Sequence, residues 1–376
     1  MNFKLNEEQE LIRKNAQDFL TEKCPPSLVK DMEQSKEGFA SELWRQMAEM
    51  GWLGLAFPEK YGGTGGSFLD LMVLTEELGQ VLAPVPFFST VITGGFLILE
   101  AGSESQKEKY LPRLANGELT LAFAFSEADD DWEPASVKLA AVTGKGGDYL
   151  LNGAKLFVAN VRAADYLLCV ARTAESAEEN ISLFMVASDA PGIQVVPLKN
   201  IAREKLAEVV FRQVRIPREN VIGEINQGWA PLERVLARAI LAKSVEMLGG
   251  MQRVLEMTAE YARQRIQFGQ PIGSFQAVQH HCANMLIASE GARWLAYRTA
   301  WMLAEGIPCR KEIYMAKAWI NETYQKVARL GVQVHGGLGI MEEYDLQLYF
   351  RRVKAAEAFL GDSNYCREKV AHQILG

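Results

Sequence analysis

The chain has 376 residues, 48% of them hydrophobic and 23% charged, with a formal net charge of −7. This carries enough apolar material for two or three structural units and excludes a disordered chain. An acidic balance without a long basic run argues against nucleic acid or an anionic membrane as the main partner.

The predicted elements begin with helices over residues 1–118. Asn6 followed by Gln9 resembles a capping box, and Leu11, Ile12, Ala16, Phe19 and Leu20 recur at helical spacing. The polar start has no basic segment leading into an apolar core, so no signal peptide is expected. Ser41 is placed to cap a second helix through Leu43, Trp44, Met47 and Met50, with Gly51 as its stop. Gly62, Gly63, Thr64, Gly65 and Gly66 follow a helix rather than a strand, so they read as a connection and not a phosphate cradle. A third helix runs through Leu69, Val73, Leu74 and Leu78, and 103–114 is helical up to Asn116-Gly117.

Residues 119–225 change character. Short β-rich runs cover 119–125, 137–143, 149–151, 154–158, 166–171, 181–187, 193–198 and 209–216. Asn152-Gly153 between two of these predicts a hairpin. Strands this closely spaced point to a small barrel or sandwich rather than to parallel β-α-β units. From 226 the helical period returns, over about 228–265, 274–305 and 308–330, with a final helix near the C-terminus. Helices of ~30 residues span ~45 Å, which suits a bundle. The expected domains are therefore 1–118, 119–225 and 226–376, with the two helical parts packing together.

Familiar chemical signatures are missing. No GxGxxG follows a strand, and no Walker A loop, HExxH or GxSxG occurs. Cys24, Cys169, Cys282, Cys309 and Cys366 are scattered without a CxxC pair, which predicts neither a disulfide framework nor a zinc site. His280 and His281 would point about 100° apart on a helix and so do not readily share a metal. No apolar run of ~18 residues is present, so no transmembrane helix is expected and the cytoplasm is the default.

Three stretches stand out. The first runs from Tyr261 through Arg263, Arg265, Gln267, Phe268, Gly269, Pro271, Gly273, Phe275, Gln276 and Gln279 to His280. By itself it reads as a helix end where the dipole favours arginine, then a Gly/Pro turn, then a new helix. The second, Gln333-Val334-His335-Gly336-Gly337-Leu338-Gly339, reads as a helix ending in glycine. The third, Phe157-Val158-Ala159-Asn160, reads as the end of a strand. Together, in this order, and with Leu53 to Gly63 and Gln106 to Pro112, they resemble the acyl-CoA dehydrogenase family over essentially the whole chain.

The resemblance implies an N-terminal helical domain, a central β domain and a C-terminal four-helix bundle. It implies FAD in a cleft between the β domain and the bundle, touched also by a neighbouring subunit. The partners implied are an acyl-CoA substrate, an electron-transfer flavoprotein, and further subunits in a homotetramer or in a heterotetramer with a second family member. Arg265 and Gln276 look like the family's FAD contacts from the partner subunit, and a guanidinium fork suits a pyrophosphate. Gln267 and Phe268 belong to the same site. Gln333, Gly336 and Gly337 look like the segment that receives the adenosine end, where glycine lets the chain approach closely. Ser126 takes the place of the hydroxyl that bonds the flavin pyrimidine, Phe157 that of an aromatic beside the ring. Asp362 and Asn364 fall where the family's chain faces the cofactor.

Four departures matter. Ala128, Asp129, Asp130, Asp131, Trp132 and Glu133 replace the family's Gly-Ala-Gly-Ser-Asp, and their carboxylates would oppose CoA phosphates. Ala159 stands where a flavin-contacting hydroxyl is common. The family's Tyr-Glu-Gly-Thr reads here as Phe359-Leu360-Gly361-Asp362, so Leu360 occupies the place of the glutamate that removes the α-proton. Some members carry that base on the first bundle helix, and ungapped counting puts Ala239 there. Glu246, Glu357 and Asp362 are nearby substitutes, but none is assigned, and the catalytic base stays unidentified. Three functions follow as expectations: an FAD-dependent acyl-CoA dehydrogenase, a non-catalytic or half-site subunit of a heteromeric one, and a flavin monooxygenase on the same fold. Pro86, Phe87, Phe88 and Ser89 are expected to border the substrate pocket, which leaves the acyl chain open.

Overall fold

A computed structural model describes residues 4–128, 132–173 and 180–375. In chain order the elements are α1 (Glu7–Lys23), α2 (Pro26–Gln34), α3 (Ser41–Glu49), α4 (Phe68–Val81), a π-helical stretch Phe88–Gly95 running into α5 (Phe96–Ala101), and α6 (Glu104–Ala115). Strands follow as β1 (Leu121–Ala124), β2 (Ala140–Thr143), β3 (Tyr149–Ala159), β4 (Tyr166–Arg172), β5 (Ile181–Ala187), β6 (Ile193–Leu198), β7 (Leu206–Ile216) and β8 (Val221–Ile222). Then come α7 (Trp229–Gln264), the small strands β9 (Ile266–Gln267) and β10 (Gln270–Pro271), α8 (Gln276–Ala304), α9 (Arg310–His335), α10 (Leu346–Ala358) and α11 (Ser363–Leu375). Two compact units result. One joins Met1–Val29, Ser67–Ala83 and Ile240–Gly376, and the other joins Lys30–Gly66 and Pro84–Ala239.

The first unit is helical, and α1 and α4 belong with the C-terminal helices. The Asn6–Gln9 capping box starts α1 as expected, and Ala16 and Leu20 are buried, but Leu11 is 58% exposed and lies outside the stripe. A second capping box, Ser67–Asp70, starts α4, which is buried from 71 to 79. Gly79 and Gly249 let α4 and α7 meet backbone to backbone; a Cβ on Gly249 would sit 1.9 Å from the Glu76 carbonyl oxygen. Burying α4 also buries two adjacent glutamates. Glu76 is bonded by Arg293 and by Tyr297 Oη, and Glu77 accepts from Gln17 at 3.2 Å and Gln80 at 2.6 Å, with Arg13 reaching both carboxylates. Such groups enter a core only with partners. In the bundle α9 is central, packed by α8, α10 and α11.

The second unit holds α3, α5, α6 and a mixed eight-stranded sheet, ordered β6-β7-β3-β2-β4-β5-β8 with β1 beside β4. β1 pairs with β4 in parallel, from Leu121↔Tyr166 to Ala124↔Cys169. Its core is built from alternate residues such as Leu151, Leu167, Cys169, Phe184, Val186, Val209 and Phe211.

Several sequence expectations need correction. Asn152-Gly153 is not a hairpin: β3 runs unbroken through it, bulged against β7 between Leu151 and Gly153. A two-residue hairpin turn needs positive φ at its first central position, and in type I′ at both, yet here only the second residue, Gly153, has it, at 138°. Asn152 Oδ1 instead accepts from the Gln213 backbone at 2.9 Å and its side chain at 2.8 Å. Ala40, not Ser41, occupies the N-cap of α3. The short elements α2 and β8 escaped the pattern, α9 extends to His335, and the C-terminal segment is two helices, α10 and α11. All five cysteines are free. Among the described residues no group of three or more His, Cys, Asp or Glu could hold a metal ion, and no helix is long and apolar enough to cross a membrane.

Candidate functional site

In the sheet unit, the chain leaving β1 is held from two sides. Leu156 N donates to Ser126 O at 2.9 Å, and Lys155 Nζ donates to Phe125 O at 2.9 Å and to Glu127 Oε1 at 2.6 Å. Lys155 is fully buried, and burial pushes its ammonium below the usual lysine range against the pull of Glu127. Glu127 also accepts from Lys138 N at 2.9 Å and Leu139 N at 3.0 Å. Ser126 sits in the middle of this clamped segment. Phe125 packs against Phe123, Trp132 and Trp229. The carboxylates expected at 129–131 lie outside the described residues.

Two residues beyond Lys155, Phe157 has φ 55° and is 47% exposed. The β3–β7 ladder slips there, between Lys155 and Val158. A left-handed aromatic in a strand costs roughly 1–3 kcal/mol and persists only where its surroundings fix it. So β3 turns Lys155 inward and presents Phe157 outward.

In the helical unit, the other expected contacts fall into two groups. Around the α7–α8 junction, β9 and β10 pair Gln267 with Gln270. Their turn, Phe268-Gly269, has φ 53° and 82°, the positive pair of a hairpin turn. Phe268 is 92% exposed despite being apolar and strained. Arg265, Gln267 and Gln276 are exposed and, among the described residues, their side chains have no partner. Tyr261 stacks on His335 at 4.3 Å, which brings the end of α7 beside the end of α9. Burial holds His335 below the usual histidine range; Nδ1 faces Gly331 O at 2.8 Å and Nε2 faces Tyr344 Oη at 3.1 Å. This fixes the helix end from which Gln333, Gly336 and Gly337 face solvent. Gly336 has φ 63° and ψ −145°, and a Cβ at Gly336 or Gly337 would meet nothing within 4 Å. The junction thus offers a cation, amide donors, an aromatic and bare backbone, a donor set that fits an elongated anionic group with a planar ring.

The second group lies beside α9 at Lys317, 16 residues before Gln333 and roughly 24 Å along the helix. There Lys317, also fully buried, donates to Asn321 Oδ1 at 2.7 Å, Ala356 O at 2.8 Å and Glu357 O at 3.3 Å. It thereby satisfies carbonyls at the end of α10. Burial pushes its amine down to about 7, helped by the like charge of Lys243. The chain then turns through Leu360, φ 57° and 2% exposed, and Gly361, φ 104°.

The substitute carboxylates are all engaged. Asp362 Oδ1 accepts from Tyr365 N at 2.8 Å, capping α11, while Asn364 beside it is exposed. Glu357 pairs with Lys354, and Glu246 with Lys243 at 2.8 Å. Ala239 is fully buried. Within the helical unit, then, Arg265, Gln267, Phe268, Gln276, Gln333, Gly336 and Gly337 gather at one end of α9, and Asp362 and Asn364 near the other. The buried lysines and the Tyr261–His335–Tyr344 cluster were not foreseen. A lysine on the inward register of β3, and a Lys317–Asn321 pair on the apolar stripe of α9, were the signals.

Comparison with known proteins decides the family. Descriptions of the acyl-CoA dehydrogenase N-terminal, middle and C-terminal domains match residues 6–118, 122–214 and 226–375. The chain belongs to the acyl-CoA dehydrogenase family. It is 32% identical to an acyl-CoA dehydrogenase of Bacillus subtilis (strain 168) across 99% of both chains. Butyryl-CoA dehydrogenase from Megasphaera elsdenii has a TM-score of 0.93 at 29% identity, covering all of both chains. The ChsE4–ChsE5 complex from Mycobacterium tuberculosis has a TM-score of 0.89 at 27% identity, covering 100% of this chain and 99% of the matched one. Acyl-CoA dehydrogenase architecture, with helices before and after a central sheet, is what the sequence predicted.

Proposed function

We propose that this acyl-CoA dehydrogenase family member binds FAD and acts as a half-site subunit of an acyl-CoA dehydrogenase, with the α-proton base supplied by a second polypeptide. The observation that carries this is Leu360: a buried leucine fills the left-handed turn where the family places its glutamate, while Glu246 and Glu357 are held in ion pairs and Asp362 caps a helix. Leucine cannot accept a proton, and a missing general base costs about 10²–10⁴-fold. The two-polypeptide ChsE4–ChsE5 relative supports a paired assembly.

FAD, when bound, would accept hydride from the acyl β-carbon and pass electrons on to an electron-transfer flavoprotein. This chain's residues bind and orient. Ser126 and Phe157 would meet the flavin ring, with Asp362 and Asn364 lining the same subunit's side. Arg265, Gln267, Phe268, Gln276, Gln333, Gly336 and Gly337 would hold the pyrophosphate and adenosine of a neighbour's FAD. The exposure of these residues, with no side-chain partner for Arg265, Gln267 or Gln276 among the described residues, supports contact across a tetramer. The domain division 1–118, 119–225 and 226–376 goes with this reading.

The test is a visible spectrum of the purified chain, alone and co-expressed with a family member that keeps the glutamate, before and after anaerobic addition of an acyl-CoA panel. Flavin that bleaches only in the paired preparation is the expected result. The second reading is a self-sufficient dehydrogenase. Lys243 favours it: the ammonium lies 2.8 Å from Glu246 and 5.4 Å from the Phe359 ring, so Glu246 shares a cation with the residue before Leu360. Bleaching of the chain alone, lost in Glu246→Gln, would establish that reading instead.

A further inference from the structure

A buried ion pair needs a reason. Replacing one by apolar groups is often neutral or stabilising, whereas removing one partner leaves a buried charge uncompensated. Lys155 is fully buried and the Glu127 side chain is 9% exposed, so the pair gains little that packing could not provide. Its geometry serves position instead. Lys155 Nζ holds the carbonyl before Ser126 and the carboxylate after it. The next residue, Leu156, holds the carbonyl of Ser126 itself. Glu127 is pinned again by the backbone amides of Lys138 and Leu139. Three consecutive residues are thus fixed to β3, at the point where β3 bulges to present Phe157.

We propose that the Lys155–Glu127 pair is a positioning clamp that sets Ser126 and Phe157, the two residues of this sheet that meet the flavin. The inference rests on the flavin reading given above. The strain at Phe157 agrees with it: a left-handed aromatic is retained only if its surroundings are rigid, and Lys155 two residues before it and Val158 directly after it are fully buried. Sites whose supporting residues are loose by ~1 Å fail although every contact residue is present.

The test uses the full chain with Lys155→Met, which keeps volume, and Glu127→Gln, which keeps shape and one acceptor. Hydrogen–deuterium exchange is followed over 120–128 and 153–160, and FAD affinity by titrating deflavinated protein. In both variants exchange rises in those two segments alone, and FAD binds about tenfold more weakly. If wild type and variants bind FAD equally and exchange is unchanged, the clamp is wrong. If wild type binds no FAD either alone or co-expressed with the second family member, the flavin reading fails, while the exchange data still decide whether the pair orders residues 125–127. Uniformly raised exchange in Lys155→Met would mark global loosening, and Glu127→Gln then decides: local exchange with weaker FAD binding supports positioning, and wild-type behaviour overturns it.

Discussion

The two ends of α9 present opposite surfaces. At its C-terminal end Arg265, Phe268, Gln333, Gly336 and Gly337 stand exposed, and a Cβ on either glycine would meet nothing within 4 Å. Near Lys317 the interior is closed, with Asp362 and Asn364 exposed beside it: a buried amine holds two carbonyls, Asp362 caps a helix, and Leu360 fills the turn. The helical unit therefore keeps an open face at one end of α9 and a tightly packed one nearer the other. Both still bear strained backbone, Phe268 at φ 53° and Leu360 at φ 57°.

Leu360→Glu is the sharpest way to break that contrast. It is expected to speed bleaching of the bound flavin by acyl-CoA about 10²–10⁴-fold in the chain alone, followed anaerobically by stopped flow. No gain would mean that the acyl side has lost more than its base, and the altered stretch from Ala128 to Glu133 would be examined next. On the open face, Arg265→Glu should lower FAD retention roughly 10–100-fold, since a hydrogen bond to a charged group is worth about 1.5–3 kcal/mol. Flavin content after gel filtration reads this directly, and full retention would remove Arg265 from the site.

How far the sequence revealed this differs between the two faces. The open one was legible, because a hairpin with Gly269, Pro271 and Gly273 and a helix ending in Gly336-Gly337 need special backbone that few residues supply. Leu360 was legible as a missing carboxylate. The fate of its neighbours was not: whether Glu246 or Glu357 is free depends on Lys243 and Lys354 rotamers, which no periodicity encodes. Asn152-Gly153 misled for a related reason. A local turn preference was overridden by pairing along all of β3 with β7.

Lys317 tests whether the closed face is a fixed structural plug. Its folded value, about 7, lies below the unfolded 10.5. Between those values the unfolded chain binds the extra proton, so stability rises with pH there. The gain is about 2 kcal/mol from pH 7 to 9. Lys317→Met should abolish that rise while lowering stability at pH 9, because the carbonyls of Ala356 and Glu357 lose their donor. Urea midpoints at pH 7, 8 and 9 measure both. A rise that persists in the variant would assign it to other groups.

The smallest expected effect separates this plug from ordinary burial. Burial, with Glu76 alongside, pushes the Glu77 carboxyl up to about 7, against the pull of Arg13, Gln17 and Arg293. Here the sign reverses. The folded state holds the proton between about 4.5 and 7, so stability is fullest below the unfolded value and declines as pH rises through the folded one. The decline is about 2 kcal/mol from pH 5.5 to 7. Glu77→Gln should flatten it and leave the rise above pH 7 intact, because α4 and Lys317 titrate separately. If Glu77→Gln also erased the Lys317 slope, the buried groups of the helical unit would be one coupled network, and the closed face could not be treated as a local feature of α9 and α10.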